Sequence, residues 1–488
     1  MPVAGGNFGR KGYGLALLCC ASFVAVLDLT IVAIALPSVG RELGFSAGDA
    51  QWILSGYALS FGGLLLLMGR AGDLYGRRRL FMAGLGLFGA ASLLGGLAWA
   101  PWVLVATRLL QGVGGAALVP ASLALVAATF AEGEERNWAM GVYGAMAGVG
   151  FVFGMVLGGV ITEFLGWRWV FFVNVPVAAA MISLAPALIP ESKDEGAPRA
   201  LDLPGAATAT VGLASLIYAV SEAPKNGWVS PTTLGTAGLG VVLLGGFVVA
   251  ERRAPAPLVP PSIFRGRAVA VPNTVAILKS MVGASQLYVL TLYFQEALGR
   301  TPLEAGLLFL PMTLASVVAS PLAGRLTTRL GVKRTAVLGL VFSGAGLALV
   351  ASLMSHEGAL AAVLLGMAVA EAGFMTVNVP LTVAATGGVG EGERGLASGV
   401  LSTSTEVGNA FGWAAVAAVI AAATATPAGR IEQADALLGG LRWGLLAAIA
   451  FAVLALVIVL AFMRGGRDTK RREEAEATND RAAESARQ

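Results

Sequence analysis

The chain has 488 residues, of which 56% are hydrophobic and only 13% are charged, and its formal net charge is +4. A soluble domain carries roughly 25% charged residues, so this composition excludes a globule that folds in water. The single histidine, His356, and the adjacent Cys19 and Cys20 are too few for a transition-metal centre or a disulfide framework. We therefore expect neither a metal nor a cofactor.

Apolar stretches recur along the whole chain, and each is long enough to cross a hydrocarbon core roughly 30 Å thick. Closed β-barrels show weak alternation instead of unbroken apolar runs, so the sequence predicts an all-α integral membrane protein. We predict fourteen spans: 13–37, 50–69, 80–99, 102–126, 139–162, 169–190, 204–221, 232–250, 268–294, 303–323, 335–354, 359–385, 396–420 and 440–463.

Lysine and arginine are unequally divided between the two sets of loops that join these spans. One set holds 6 of them, whereas the other set, together with both chain ends, holds 25 of the 33. Basic residues concentrate on the cytoplasmic side of a membrane, so both termini are predicted to be cytoplasmic. The same reasoning explains the basic balance of the chain without nucleic-acid binding.

The sequence also repeats itself, because the motif Gly69–Arg79 recurs 255 residues later as Gly324–Arg334. Spans 1–6 and 9–14 are therefore predicted to be two copies of one bundle, with two helices inserted between them. Two matched bundles with a substrate site between them are a transporter architecture. The predicted divisions are a first bundle at 1–190, the inserted helices at 191–266, a second bundle at 267–463 and a charged cytoplasmic tail at 464–488.

Four motifs occur in span 1, in the loop after span 2, in span 4 and in span 5, at Leu27–Pro37, Gly69–Arg79, Arg108–Gly115 and Gly141–Gly159. On these motifs the chain resembles the major facilitator superfamily and its fourteen-span drug:proton antiporter branch. The resemblance implies a major facilitator fold of two six-helix bundles plus two extra central helices. It also implies multidrug or antibiotic efflux, in which amphipathic small molecules leave in exchange for protons by alternating access. We expect a monomer in the bacterial cytoplasmic (inner) membrane.

The loop after span 2 is similar to the loop that latches the cytoplasmic side of this family during alternating access. The alternative is a plain basic anchor. In the second copy Thr328 stands in place of Asp73, which predicts a weaker latch. The candidate latch residues are Gly69, Asp73, Gly76, Arg77 and Arg78.

Asp28 lies roughly 22 Å along span 1, at 1.5 Å per residue, and a carboxylate at that depth must be neutral, paired or facing water. We predict that it couples protons or contacts substrate; a structural hydrogen bond to a neighbouring helix is the alternative. The resemblance implicates Arg108 in proton transfer, and arginine does not lose its proton. Arg108 is therefore predicted to stabilise a nearby carboxylate, and Gln111 of the same motif is a candidate substrate contact.

Span 5 matches the antiporter motif of the family at Gly150, Gly154 and Gly158, and its glycines allow close helix packing. Met155 replaces the proline of the motif, so the kink that proline would introduce is predicted to be missing.

Three further charges fall inside the second bundle. Lys279 lies roughly 18 Å into span 9, and we predict that it pairs with Asp28 or Glu371 in one conformation; binding an acidic group of the substrate is the alternative. Glu371 occupies the place of Gln111 in the second copy and is predicted to contact protons and substrate. Glu406 is a proton-coupling candidate, or else a wet residue near the cytoplasmic end.

Two other functions are alternatives to drug export. A lipid or lipid-precursor translocase would use the same cavity with lateral openings. A membrane enzyme or sensor is not favoured, because the spans show no nucleophile–base pair. The sequence lacks the GxxxxGK[ST] motif, so ATP is not the expected direct energy source.

Overall fold

The computed structural model describes residues 5–45, 49–131, 133–193, 201–254, 257–355, 359–390, 393–424 and 430–463. His356 and the predicted tail at 464–488 lie outside these residues. Within them, fourteen helices are long and apolar enough to cross a membrane: Lys11–Leu43, Trp52–Tyr75, Arg77–Gly96, Pro101–Thr129, Glu134–Phe164, Trp169–Leu188, Leu203–Asn226, Pro231–Arg253, Arg267–Ala297, Pro302–Leu330, Val332–Leu353, Leu360–Gly387, Arg394–Thr424 and Asp435–Phe462.

These helices confirm the fourteen predicted spans, and we number them span 1 to span 14 in chain order. Most of them extend past the predicted boundaries, because a helix continues through the head-group layers on both sides of the apolar core. Span 6 is interrupted between Trp169–Phe172 and Asn174–Leu188, and span 10 between Pro302–Leu308 and Leu310–Leu330. Span 9 ends in a π-helical turn, Tyr293–Ala297.

The helices form the two predicted bundles. In the first, span 1 packs on span 5 and span 4 on spans 2 and 3; in the second, span 9 packs on span 13 and span 12 on spans 10 and 11. Glycines allow the close approaches. A Cβ atom built on Gly114 would lie 2.7 Å from the backbone nitrogen of Phe88, and one on Gly373 would lie 2.3 Å from that of Ser343. Small residues at helix crossings have this effect in membranes.

The inserted spans 7 and 8 form a hairpin beside the seam between the bundles. Span 7 contacts span 2 of the first bundle and span 13 of the second. Gln51 donates a hydrogen bond to the hydroxyl of Ser221 at 2.7 Å, and a Cβ on Gly63 would lie 2.6 Å from the hydroxyl of Thr210. Span 8 is mostly exposed, and only 11% of its most apolar stretch is buried inside the protein. The insertion therefore covers the outside of the seam between spans 2 and 13.

The end of the molecule where span 1 begins and span 2 ends is called the basic face, because it carries Arg70, Arg77, Arg78, Arg79, Arg329, Lys333 and Arg334. Near the opposite face the bundles meet in several polar contacts. Arg41 forms an ion pair with Glu296 at 2.7 Å, and Gln295 donates to the carbonyl oxygen of Ile34 at 2.8 Å. Spans 2 and 13 also touch further toward the basic face, at Leu66 and Gly399.

Close packing predicts a sharp difference between two glycines of span 11. A Cβ on Gly346 would lie 2.3 Å from the backbone nitrogen of Ala370, whereas one on Gly344 would meet only Ala452, at 4.0 Å. We expect Gly346→Leu to lower the free energy of unfolding by about 1–3 kcal/mol or more through overpacking. Gly344→Leu is the matched control, and thermal unfolding of the detergent-solubilised protein measures both. Equal unfolding temperatures for the two variants would contradict the described packing.

Candidate functional site

Asp28 lies in the interior of the first bundle and is completely buried. Its Oδ2 accepts a hydrogen bond from Nη1 of Arg108 at 2.6 Å. Its Oδ1 accepts from the side-chain amides of Gln111 and Asn174, each at 2.7 Å. Spans 4 and 6 thus supply three donors to one carboxylate of span 1, which is the satisfaction that a charge in an apolar interior requires.

Arg108 is also completely buried, and its guanidinium contacts several groups besides Asp28. Its Nε donates to the carbonyl oxygen of Ile53 at 2.8 Å, and its Nη1 also donates to the side-chain oxygen of Gln111 at 2.7 Å. The guanidinium lies 4.4 Å from the centre of the Tyr57 ring, a cation–π distance. Its Nη2 has no hydrogen-bond partner among the described residues. The predicted stabilisation of a carboxylate by Arg108 is therefore present in the geometry.

The predicted pairing of Lys279 with Asp28 is absent from this conformation. Arg108, Gln111 and Asn174 occupy the carboxylate, and all three belong to the first bundle. Asp28 and Gln111 are both fully buried, so neither side chain is accessible to a substrate in this conformation. Their predicted substrate contacts would require another conformation and stay predictions.

Lys279 is buried in the second bundle and faces two residues of span 12. Its Nζ donates to the side-chain oxygen of Asn378 at 2.5 Å and lies 3.8 Å from the centre of the Phe374 ring. The Phe374 ring also packs on Gly283, the residue that takes the place of Asp28 in the second copy. A Cβ atom built on Gly283 would lie 2.5 Å from this ring. An aromatic face and an amide, rather than a carboxylate, therefore compensate the ammonium most directly.

Glu371 and Glu406 lie near this lysine, and both interact with it electrostatically. Neither forms an ion pair with it within 4.0 Å. Glu371 is buried at 3% exposure, and its carboxylate has no hydrogen bond within the described part of the chain. Glu406 is half-buried, accepts from Asn409 at 3.3 Å and packs against Gly62 of span 2. The predicted Lys279–Glu371 pair is thus a longer-range interaction here, and Glu406 sits where the bundles meet.

A cavity of about 190 Å³ opens beside Lys279, in the halves of spans 9, 12 and 13 that lie toward the basic face. Thr382, Ser398 and Ser402 on its wall are exposed, so it is accessible from that face. The wall mixes polar and apolar side chains: Ala276, Lys279, Asn378, Leu381, Thr382, Ser398, Leu401, Ser402 and Thr405.

The three antiporter-motif glycines place span 5 directly on span 1, on either side of the level of Asp28. A Cβ atom built on Gly150 would lie 2.6 Å from the carbonyl oxygen of Phe23. A Cβ atom on Gly154 would lie only 1.8 Å from the hydroxyl of Thr30, and a Cβ atom on Gly158 would lie 3.1 Å from Cα of Ile31. The helix Glu134–Phe164 continues through Met155 without interruption. The motif therefore brings span 5 against the charged span, and its role in export stays a prediction.

The predicted latch residues meet at the turn between spans 2 and 3. Arg77 donates to Asp73 at 2.8 and 3.0 Å, and Gly76 has the positive φ of 110° that favours glycine. Glu191, which sequence reasoning missed, accepts from the backbone N–H of Arg78 at 2.9 Å. Gly69 lies further up span 2 beside Pro120. These contacts tie the turn to the end of span 6 in the same bundle.

The second copy keeps the turn but not its ion pair. Gly331 has a φ of 82°, and Lys333 donates to the carbonyl oxygen of Leu460 at 2.7 Å. Thr328, in the place of Asp73, donates to the backbone of its own helix. Thr328 therefore does not take over the ion pair of Asp73, and the weaker second latch stays a prediction.

Sequence reasoning also left without a role Asn174, Asn378 and Phe374, and Ser92, whose hydroxyl accepts from the side-chain amide of Gln111 at 2.8 Å. A polar residue inside an apolar span was the available signal for Ser92, Asn174 and Asn378. The sequence does not show which neighbouring helix such a residue faces.

Fourteen spans in two matched bundles, with charged residues buried in each and a polar cavity beside them, define a multi-pass membrane transporter. The chain belongs to the Major Facilitator Superfamily, which matches residues 18–250 and 274–487. This confirms the family and the fold that the sequence motifs indicated.

Two curated relatives are similar over most of their length. Puromycin resistance protein pur8 of Streptomyces alboniger is 40% identical over 93% of this chain and 91% of its own. Cephamycin export protein CmcT of Amycolatopsis lactamdurans is 38% identical over 84% of this chain and 85% of its own. Among solved structures, the POT family transporter PepTSo aligns with a TM-score of 0.68 at 15% identity, covering 92% of this chain and 97% of that one. At that identity the likeness shows the fold alone.

The buried Asp28–Arg108 pair predicts a non-additive response to substitution. Arg108→Met leaves the carboxylate buried without its charge partner, and breaking a buried pair in this way costs about 3–5 kcal/mol. Replacing both residues, as Asp28→Asn with Arg108→Met, removes the uncompensated charge, so the double variant is expected to recover part of the lost unfolding temperature.

Arg168→Met is the control for this cycle. Arg168 also pairs with a carboxylate, that of Glu42, but both side chains are exposed, and an exposed pair contributes little. The coupling would be refuted if the unfolding temperature of the double variant fell by the sum of the decreases measured for Asp28→Asn alone and Arg108→Met alone.

Proposed function

We propose that the chain is a secondary exporter that moves amphipathic small molecules out of the cell in exchange for protons, by alternating access. The observation that supports it most is the group around Lys279, where one ammonium lies near two carboxylates beside a cavity open to the basic face. The names of the relatives, which refer to puromycin resistance and cephamycin export, support the same direction. We infer that the protein acts as a monomer, since one chain contains both bundles.

The distribution of charge supports an orientation of the chain in the membrane. Basic loops remain in the cytoplasm, so the basic face and both termini are assigned to the cytoplasmic side of a bacterial inner membrane. The cavity beside Lys279 would then open inward, and the polar contacts near the opposite face would close the outward path. A substrate could enter this conformation from the cytoplasm or the inner leaflet.

The cycle requires a charge change at buried acids. Among the described residues Glu371 has no hydrogen bond that would hold its charge, so binding a proton would neutralise it without breaking such a bond and would remove its attraction for Lys279. Protonation of Asp28 would release Arg108, whose Nη2 already lacks a partner among the described residues. Each charge that moves through 100 mV supplies about 2.3 kcal/mol, which is enough for one or two protons to drive a useful gradient.

The mixed wall of the cavity is compatible with an amphipathic substrate. Leu381 and Leu401 present apolar surface, whereas Asn378, Ser402 and Lys279 present donors and acceptors. Small-molecule sites typically combine such apolar walls with a few polar groups. We therefore propose antibiotic-like amphipathic molecules as substrates.

Proton coupling predicts that Glu371→Gln abolishes efflux driven by a pH gradient. In proteoliposomes, the efflux rate of puromycin or ethidium is expected to fall at least about tenfold, because the amide cannot take up a proton. Exchange of labelled for unlabelled substrate without a gradient should continue, since that exchange needs no net proton movement.

Glu135→Gln is the control, because Glu135 pairs with Lys11 at the membrane surface, at 3.1 Å. Its efflux should match wild type. Wild-type efflux that persists unchanged after the pH gradient is collapsed would refute the proposal.

A further inference from the structure

A second and larger cavity lies away from the central site, between the first bundle and the inserted hairpin. It is a groove of about 510 Å³ near the opposite face. Gly44, Phe45 and Asp49 after span 1, the starts of spans 2 and 4 and the end of span 7 form its walls. The residues that carry its chemistry are Phe45, Asp49, Trp52, Trp102, Tyr218 and Glu222.

Contacts between spans 2 and 7 hold this groove in shape. Gln51 and Ser221, both buried, are hydrogen-bonded at 2.7 Å directly behind it. The rings of Trp52 and Tyr218 lie 6.3 Å apart across the same junction. The groove is therefore part of the interface between two packed helices.

One end of the groove is negatively charged. Lys225 pairs with Asp49 at 2.5 Å and with Glu222 at 3.1 Å, so two carboxylates share one ammonium. These two carboxylates stand beside aromatic rings, whose faces attract cations. This combination suits a ligand that carries a positively charged nitrogen.

The rest of the groove is apolar and runs inward along span 4. Val105, Ala106 and Leu109 line it, about 12 Å of helix from Pro101 at 1.5 Å per residue. Trp99 and Trp102 are 72% and 69% exposed, and exposed tryptophans mark the head-group layer of a membrane. The charged end therefore lies at head-group depth and the apolar end points toward the bilayer centre.

We propose that this groove binds one phospholipid with an ammonium head group, such as phosphatidylethanolamine. The ammonium would lie by Glu222, Asp49 and the aromatic rings, the phosphate would have Lys225 within reach, and an acyl chain would follow Ala106 and Leu109. A free amphipathic cation would also match the charged and apolar ends, but only the lipid supplies a phosphate for Lys225 in addition. The bound lipid would fix the inserted hairpin to the first bundle. This inference does not depend on the proposed export function.

Native mass spectrometry of the purified full chain, with phosphatidylethanolamine or phosphatidylglycerol of identical acyl chains, tests the proposal. We expect the ethanolamine lipid to bind about fivefold to tenfold more tightly, as one added charge or cation–π contact allows. Glu222→Gln should remove this preference, and Ala106→Trp, which fills the groove from its exposed side, should remove the tightly bound lipid.

Two variants serve as controls. Glu42→Gln removes a carboxylate that pairs with Arg168 near the same membrane face but outside the groove. Leu110→Trp adds a ring at an exposed position of span 4, the helix that also carries Ala106. Both should retain the lipid preference, and the thermal unfolding temperature reports whether each variant is folded.

Three results would overturn the inference. They are equal binding of the two lipids, retention of the lipid by Ala106→Trp, and preferential binding of dodecyltrimethylammonium with no tight binding of the ethanolamine lipid. The last result would identify the groove as a site for free amphipathic cations.

Discussion

A charge in the middle of an apolar bundle requires partners, and in this molecule that requirement fixes the first bundle. Asp28 receives donors from spans 4 and 6, and Arg108 in turn binds the backbone of span 2 through Ile53. Span 5 reaches the same level because Gly154 lets it lie on Thr30. Four helices are thus positioned against span 1 around one ion pair, and loss of either charge would affect all of them.

The second bundle repeats the helix arrangement of the first, but its buried charges have different partners. Gly283 replaces the aspartate of span 1, and the Phe374 ring fills the space beside it. Glu371 takes the place of Gln111, without the hydrogen bonds that Gln111 makes. The first bundle therefore holds a satisfied pair, whereas the second holds a lysine and two acids at longer range next to the cavity. Of the two groups, the second can change its charge with less rearrangement.

Hydropathy, the 255-residue repeat and the motifs were enough to predict the fourteen spans, the two bundles and the family. They also identified Asp28, Arg108 and Lys279, because charged residues are rare in apolar spans. The partners were harder to predict. Asn174, Asn378 and Glu191 are ordinary polar residues, and only packing shows which helix each one faces. The predicted Asp28–Lys279 pair is absent from this conformation because Asp28 binds spans 4 and 6 of its own bundle, whereas Lys279 binds Asn378 of the other bundle.

The inserted hairpin gives the two seams between the bundles different surroundings. Span 7 packs along spans 2 and 13, which touch as far as Leu66 and Gly399, so that seam is covered from outside. Spans 5 and 10 meet near the opposite face, where a Cβ on Gly159 would lie 2.6 Å from the carbonyl oxygen of Pro302. Toward the basic face, Cβ atoms on Gly141, Gly144 and Gly148 of span 5 would meet no neighbouring atom within 4 Å. A lipid translocase needs a lateral opening, and the covered seam does not offer one. The hairpin therefore separates the seam of spans 2 and 13 from the surrounding membrane, whereas no neighbouring side chain of the described residues covers these three glycines of span 5.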